Sequence, residues 1–409
     1  MIEVAIMGHG VVGSGVAEIL LEHWDSIAQK AKNEINVKYI LDLKDFSHLY
    51  YSDKFIKDFN IILRDPEIRV VVEVMGGINP AYEFVKACLH SGKSVVTSNK
   101  ELVAAKGAEL LQIANEKNVN FLFEASVGGG IPVLRPIAQC LAANELSEIV
   151  GILNGTTNFI LTKMIKEKVS FEDALKQAQD LGYAEKDPTA DVEGHDACRK
   201  ICILASLGFG KHVYPEQVRT EGITKIDLFD AAYAEKLGYV IKLIGHAKKM
   251  DNGKITANVY PALISKENML SGVSDVFNAV MVYGDAIGQV MFYGRGAGKS
   301  PTASAVVADV IDCVKHLVAR KYLSWADGDK NYVSDGKNAL SKLFVRLNAE
   351  DAEKTKNTVR SIFGENAVII SDVKENEIAF LTEYDIEEVL LSKLSKFDVK
   401  NTKVLHVLD

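Results

Sequence analysis

Between Leu181 and Lys200 the chain reads LGYAEKDPTADVEGHDACRK, placing Glu185, Asp187, Asp191, Glu193 and Asp196 ahead of Arg199 and Lys200. One reading is a solvated acidic loop before a helix, because Asp favours turns and helix N-termini and Lys favours water. The other is chemical: the acids grip a positively charged head group and the lysine presents an ammonium for proton transfer. Asp196 and Lys200 stand four apart, so on a helix they share one face.

A second constellation lies at the start of the chain. MGHGVVGSG follows the apolar run VAIMG and opens a helix, giving Gly8-x-Gly10-x-x-Gly13. The first glycine makes a tight turn, the second lets backbone approach a pyrophosphate, and the third lets helix pack on strand. Free N–H groups at the helix start complete an anion site, so Gly8, Gly10, Val11, Val12 and Gly13 are candidate dinucleotide-binding residues. At the end of YILDLKD, Asp42 can accept the ribose hydroxyls, while Lys44 can instead meet a 2′-phosphate. Asp42 lies farther on than the usual ~20 residues, which requires a long first helix. The cofactor is NAD or NADP, with the balance toward NAD.

The elements that must hold these residues change character along the chain. VAIMG, VKYIL, VVVEVMGG, SVVTSN and NFLFEAS read as near-continuous apolar strands, with helices from Pro80 and Lys100 between the later ones. That alternation predicts an α/β, doubly wound, Rossmann-type parallel sheet. From Glu148 onward, VGILNGTTNFILTKMI couples a strand to a helix, and two hairpins follow, one turning at Asn252-Gly253 and one at Gly284-Asp285. They predict an α+β domain on an antiparallel sheet. SPTASAVVADVIDCVKHL is a long helix that can return to the first domain. From about Tyr322 to Lys337, polar and small residues mark a linker, and the tail reads βαββαβ, a small two-layer module separate from catalysis. The expected domains are 1–135, completed by the helix near 300–318, then 136–320 for catalysis and dimerisation, then 338–409.

Bulk composition narrows the partners. The chain has 409 residues, 48% hydrophobic and 25% charged, enough for two or three domains. Its net charge of −8 comes with dispersed lysines, which argues against nucleic acid and anionic membranes. No apolar run reaches the ~18 residues needed to span a bilayer. The chain starts directly on a strand, so a cytoplasmic location is expected. Cys88, Cys140, Cys198, Cys202 and Cys313 show no C-x-x-C and read as reduced packing residues.

The glycine loop followed by VVVEVMGG, VTSNKELVA, EASVGGGIPVL, GILNGTTNFIL, the acidic stretch and GRGAGKSPTASAVVAD resembles the homoserine dehydrogenase family, over about Ile2 to Val314. The tail resembles an ACT regulatory module. The resemblance implies reversible reduction of L-aspartate 4-semialdehyde to L-homoserine, on the route to threonine, methionine and isoleucine. Hydride transfer to an aldehyde leaves negative charge on oxygen, so the site needs a proton donor. By the resemblance Lys200 is that donor, Lys100 is a second lysine near nicotinamide and substrate, Glu185 and Asp196 face the substrate, and Gly182 lies against the cofactor. Gly296 or Gly298 reaches the cofactor from the far domain. The turn EASVGGGIP binds a monovalent cation, sodium, through Glu124 and the carbonyls of Val127, Gly129 and Ile131; oxygen ligands suit such a hard ion. A homodimer or dimer of dimers is implied as well.

Two departures qualify the resemblance. Leu41 stands where family members often carry arginine, which weakens NADP. NAEDAEKTKN, the first loop of the tail, lacks the glycine typical of ligand-binding ACT modules, so amino-acid feedback there is not expected. Two other functions stay open on the residues alone, because fold does not fix substrate. One is another nicotinamide-dependent amino-acid dehydrogenase. The other is a nonenzymatic cofactor-sensing regulator, against which Lys100, Asp196 and Lys200 together argue.

Overall fold

The computed structural model describes residues 1–318, 323–365, 367–397 and 402–409; Tyr322, where the linker is expected to begin, lies outside them. The first third runs β1 (Ile2–Met7), α1 (Val11–Glu22), α2 (Trp24–Ala31), β2 (Ile35–Leu41), β3 (Phe55–Ile56), α3 (Phe59–Arg64), β4 (Ile68–Glu73), α4 (Ala81–His90), β5 (Ser94–Thr97), α5 (Lys100–Glu116) and β6 (Phe121–Leu122). Its strands pair in the order β3-β2-β1-β4-β5-β6, all parallel. Val4 to Met7 and Val70 to Val72 are fully buried, as strands covered on both faces must be. Strand order reverses between β1 and β4, and ligands of such sheets bind beyond the carboxyl ends at that point. The extra residues before Asp42 do not lengthen the first helix. They form α2, which begins after the non-helical His23.

The middle of the chain adds β7 (Leu146–Ile152), α6 (Gly155–Glu167), α7 (Phe171–Asp180), α8 (Thr189–Val192), α9 (His195–Phe209), β8 (Arg219–Thr220), α10 (Leu228–Lys236), β9 (Tyr239–Lys249), β10 (Ile255–Ser265), β11 (Phe277–Gly284), β12 (Gly288–Arg295) and α11 (Lys299–Lys315). The tail supplies β13 (Val333–Ser334), β14 (Leu340–Ser341), β15 (Leu343–Asn348), α12 (Ala352–Phe363), β16 (Val368–Ile370), β17 (Glu377–Leu381), β18 (Asp385–Ile386), α13 (Glu387–Leu394) and β19 (Thr402–Leu408). Two compact units result. One is Met1–Ile149 with Cys202–Glu216 and Val280–Asp329; the other is Val150–Ile201 with Gln217–Ala279 and Lys330–Asp409. Among the described residues no helix is long and apolar enough to cross a membrane.

In the first unit α11 packs along α1 and α2. A Cβ on Gly15 of α1 would come within 2.9 Å of the Ala303 Cβ, so the small residue sets this close approach. In the second unit β9 and β10 form the hairpin that Asn252-Gly253 signals, with Gly253 at φ 78° and antiparallel register from Tyr239↔Ser265 to Lys249↔Ile255. The sheet as a whole is mixed. Along its other edge β10 takes three short parallel partners in succession: β13 at Ile255–Thr256, β8 at Asn258–Val259 and β19 at Ala262–Ile264.

That last pairing makes the tail, expected as a module of its own, an extension of the second unit's sheet. Its strands lie in the order β19-β15-β17-β16, under α12 and α13, and β19 is bonded to β10. A buried charge network reinforces the join. Arg346 of β15 pairs with Asp230 of α10, with Asp227 at 2.8 Å and with Glu377 at 2.9 Å, and Lys403 also reaches Asp230. The Asp230 side chain is wholly buried and that of Arg346 is 5% exposed. Removing one partner from such a cluster leaves a buried charge uncompensated, at a cost of about 3–5 kcal/mol. Arg346→Ala should therefore lower unfolding free energy by about that much in urea titration. Truncation before Ser334, which strips Arg346, Lys403 and β19 together, should leave the second unit unfolded by circular dichroism; a truncated chain with native cooperativity would contradict the join.

Candidate active site

The acidic stretch folds into α8 and the start of α9, and its last members turn inward. Asp196 and Lys200 lie one helical turn apart on α9, at 4% and 7% exposure. Their ion pair spans 2.9 Å, and the Lys200 ammonium also donates to the Leu153 carbonyl at 2.7 Å. Asn154 follows Leu153 at the corner between β7 and α6. Its Nδ2 donates to Asp196 Oδ2 at 2.9 Å and to Asp191 Oδ1 at 2.7 Å, while its Oδ1 caps α6 by accepting from the Thr157 N–H at 2.8 Å. Burial, then the neighbouring Asp196 charge, raises the Asp191 pKa.

The other members of the stretch do different work. Asp187 precedes α8 and accepts from the Thr189 N–H and hydroxyl. Glu185 is exposed, and among the described residues its carboxylate forms no hydrogen bond or ion pair, which leaves it able to accept from a ligand. Gly182 ends α7 in the left-handed region at φ 75°, also exposed. Thr156 ties this loop to α6 by donating to the Tyr183 carbonyl at 2.7 Å. Asn158, last residue of NGTTN, donates to the carbonyls of Val273 and Phe277 and accepts from the buried Lys242 at 3.0 Å.

In the first unit the glycine loop is built for an anion. α1 begins at Gly10 with no side-chain cap, so its first N–H groups await an external acceptor. A Cβ on Gly13 would stand 2.0 Å from the Gly8 carbonyl oxygen, so no other residue fits there. Val11 is exposed at the helix start and Val12 half-buried beside it. Asp42 lies beside the loop because β2 pairs with β1: its carboxylate accepts from the His9 N–H at 2.8 Å and the Lys44 N–H at 3.0 Å. Gly8, Gly10, Asp42, Lys44, Lys57 and the stacked rings of Phe59 and Phe84 line a cavity of about 490 Å³.

Lys100 is the first residue of α5, half-buried behind its cap Asn99, which accepts from the Leu102 N–H and donates to the Gly77 carbonyl. Nearby, the buried Glu73 accepts from Thr97 and from the Met75 and Gly76 N–H groups, which joins the ends of β4 and β5. Burial raises its pKa against those hydrogen bonds. Lys100 thus belongs to the same unit as the glycine loop, while Asp196, Lys200, Gly182 and Glu185 belong to the other.

The turn after β6 has a different construction from the one expected. The Glu124 carboxylate accepts from the N–H groups of Val133, Leu134 and Arg135 at 2.6, 2.8 and 2.7 Å, so it anchors the start of a helical segment. The fully buried Asp309 of α11 accepts from the Glu124 N–H and pairs with Arg135. Burial and the Glu124 charge push the Asp309 pKa up to about 7, against the pull of Arg135. Gly129, at φ 57°, packs so closely on Gly296 that a Cβ would lie 2.2 Å from its carbonyl oxygen. Gly296 and Gly298 therefore share the compact unit of the glycine loop, and Gly298 precedes α11 without a side-chain cap. Among the described residues no cluster of three or more His, Cys, Asp or Glu forms a metal site.

Sequence reasoning missed Asn154, Leu153 and Lys57. Nothing within NGTTN shows that the Asn154 side chain spans two distant carboxylates. Lys57 follows β3, a strand too short to read from hydropathy.

Comparison with known proteins points to one family. Residues 132–311 match the family model described as homoserine dehydrogenase, and residues 8–124 match the one described as homoserine dehydrogenase, NAD binding domain. The homoserine dehydrogenase of Bacillus subtilis (strain 168) is 42% identical over 374 residues, covering 90% of this chain and 86% of its own. The crystal structure of a homoserine dehydrogenase from Thiobacillus denitrificans superposes with a TM-score of 0.90 at 35% identity, covering 100% of this chain and 98% of the other. A hyperthermophilic archaeal homoserine dehydrogenase mutant in complex with NADPH has a TM-score of 0.66 at 30% identity, covering 76% of this chain and 97% of that one.

Proposed function

The chain belongs to the homoserine dehydrogenase family and is an NAD(P)-dependent oxidoreductase; from that premise we propose how its residues divide the work. The observation that carries the reading is the buried Lys200 ammonium, fixed by Asp196 at 2.9 Å and the Leu153 carbonyl at 2.7 Å. Two of its N–H directions are set by those acceptors, which fixes the third. In homoserine oxidation the neutral Lys200 amine takes the hydroxyl proton; in semialdehyde reduction its ammonium returns that proton to the developing alkoxide. The nicotinamide, when bound, supplies or accepts the hydride. Glu185 accepts hydrogen bonds from the substrate α-ammonium, and Lys100 supplies a second positive group to substrate and cofactor.

The first unit fits a dinucleotide. The uncapped start of α1 takes the pyrophosphate, and Phe59 and Phe84 wall the adenosine side. Asp42 is placed for ribose hydroxyls, which favours NAD, while Lys44 and Lys57 in the same cavity provide for the 2′-phosphate of NADP. We read the site as accepting both, with NAD preferred. Gly182, Gly296 and Gly298 are proposed to let backbone approach the cofactor.

A monovalent cation fits the turn at Val127 to Ile131 in one way. With the Glu124 carboxylate spent on three N–H groups, the carbonyl oxygens of Val127, Gly129 and Ile131 are its ligands, together with the main chain of Glu124. Sodium is the ion of choice, and it would brace the turn against Gly296. A cytoplasmic location goes with this reading, in keeping with the exposed Cys140 thiol.

The test of the reaction is absorbance at the reduced-nicotinamide band when the protein meets homoserine with NAD and, separately, with NADP. Turnover is expected with both, and Lys200→Ala should lower kcat by about 10²–10⁴-fold while cofactor binding survives. No signal with either cofactor would leave a binding protein.

Glu185→Gln should raise the homoserine KM far more than the cofactor KM. An unchanged homoserine KM would return Glu185 to a solvated loop.

A homodimer is proposed through β12, an end strand of its sheet whose Val290, Met291 and Phe292 are only partly buried and whose Tyr293 is 52% exposed. Sedimentation at micromolar concentration should give twice the chain mass; a monomer would refute the proposal.

A further inference from the structure

We infer that Asn154 is a positioning residue for the proton carrier: its side-chain amide holds the Asp196 carboxylate against Lys200 while separating it from Asp191. The inference rests on the reading of Lys200 as the group that moves the proton, and it adds a residue that touches neither substrate nor cofactor in that scheme.

The argument starts from the count of donors and acceptors. An asparagine amide has two N–H donors and one carbonyl oxygen. Here the oxygen is committed to the helix, accepting from the Thr157 N–H at 2.8 Å and the Thr157 hydroxyl at 3.0 Å. A backbone N–H can meet only the oxygen end, so the orientation of the amide is fixed by the cap and the two N–H bonds must face the carboxylates. They reach Asp191 Oδ1 at 2.7 Å and Asp196 Oδ2 at 2.9 Å. Asp196 Oδ2 is the same oxygen that pairs with Lys200.

Asp196 is buried and Asp191 half-buried, and two carboxylates brought this close are prone to share a proton or turn apart. Burial and the neighbouring Asp196 charge raise the Asp191 pKa, and the hydrogen bond from Asn154 opposes that rise. A neutral double donor stabilises both anions without adding a competing cation, so the Asp196–Lys200 pair keeps its partner and its charge balance. The backbone contributes as well. Leu153, whose carbonyl takes a second Lys200 N–H, is joined to Asn154 by the peptide that leads into the cap, where Asn154 sits at φ −128° and ψ 117°. One dipeptide therefore fixes two of the ammonium's acceptors.

A plain helix cap makes a different prediction, which allows a clean test. Ser caps helices as well as Asn, so Asn154→Ser should keep the melting temperature within a few degrees, whereas Asn154→Asp keeps the cap but sets a third carboxylate against Asp191 and Asp196 and should melt lower. Neither presents two N–H donors. If Asn154 positions the pair, Asn154→Ser should lower kcat for homoserine oxidation by about 10–10²-fold, with the cofactor KM unchanged. Asn154→Asp should shift the rising limb of the kcat pH profile to higher pH, because an added carboxylate favours the Lys200 ammonium and only the neutral amine accepts the proton. Wild-type kcat in Asn154→Ser together with a wild-type pH profile in Asn154→Asp would reduce the residue to a cap and overturn the inference. Lys200→Ala run beside them separates the two ideas: full activity there sinks the assignment of Lys200 itself, whatever the Asn154 variants do.

Discussion

One buried ammonium, proposed above as the proton carrier, sets the terms for its surroundings. Lys200, at 7% exposure, has lost most of its hydration, and that loss must be offset by neighbours of opposite polarity. Asp196 and the Leu153 carbonyl supply the offset, Asn154 supports Asp196, and the N-terminus of α6 fixes Asn154. The turn between α8 and α9 follows from the same requirement. Gly194, in the left-handed region, brings α9 in beside β8 and β10, where a Cβ would press on Thr220 and Val259 at 3.1–3.2 Å.

The same unit contains a second buried cluster, and the contrast between the two is instructive. Around Asp230, Arg346 and Lys403 both neutralise one carboxylate, with Asp227 and Glu377 balancing the excess. The Arg346 guanidinium does not give up its proton in a protein, so it keeps its charge at the centre of that cluster and holds the join together. Around Asp196, the helper is a neutral amide and the cation is a lysine, whose proton can leave. Choice of donor type distinguishes a joint from a working part.

What the sequence disclosed follows from how local each signal is. The glycine loop is readable because its three glycines act within one turn, and the Asp196–Lys200 pair because helical spacing alone puts them on one face. Asn154 does not stand out in the sequence, since its two carboxylate partners lie 37 and 42 residues away. Nothing local in EASVGGGIP shows that the Glu124 carboxylate serves Val133, Leu134 and Arg135. Asp42 seemed too distant for the first βα unit, until His23 proved to divide one expected helix into two. The tail was misjudged for a related reason. Parallel pairing of β19 with β10 leaves no turn motif between them to announce it.

Each of the two compact units is assembled from three stretches of chain that alternate along the sequence. Neither can be closed by local folding, because β10 must wait for β19 and the helix α1 for α11. Native topology of this kind raises the entropy lost before contacts begin to reward it, and slows the search. During synthesis at about 5–20 residues per second, apolar strands of both units would stand incomplete until the third stretch of each emerges. The architecture thus ties the birth of the enzyme to full-length translation, and a prematurely ended chain is material for chaperones and proteases rather than a partial catalyst.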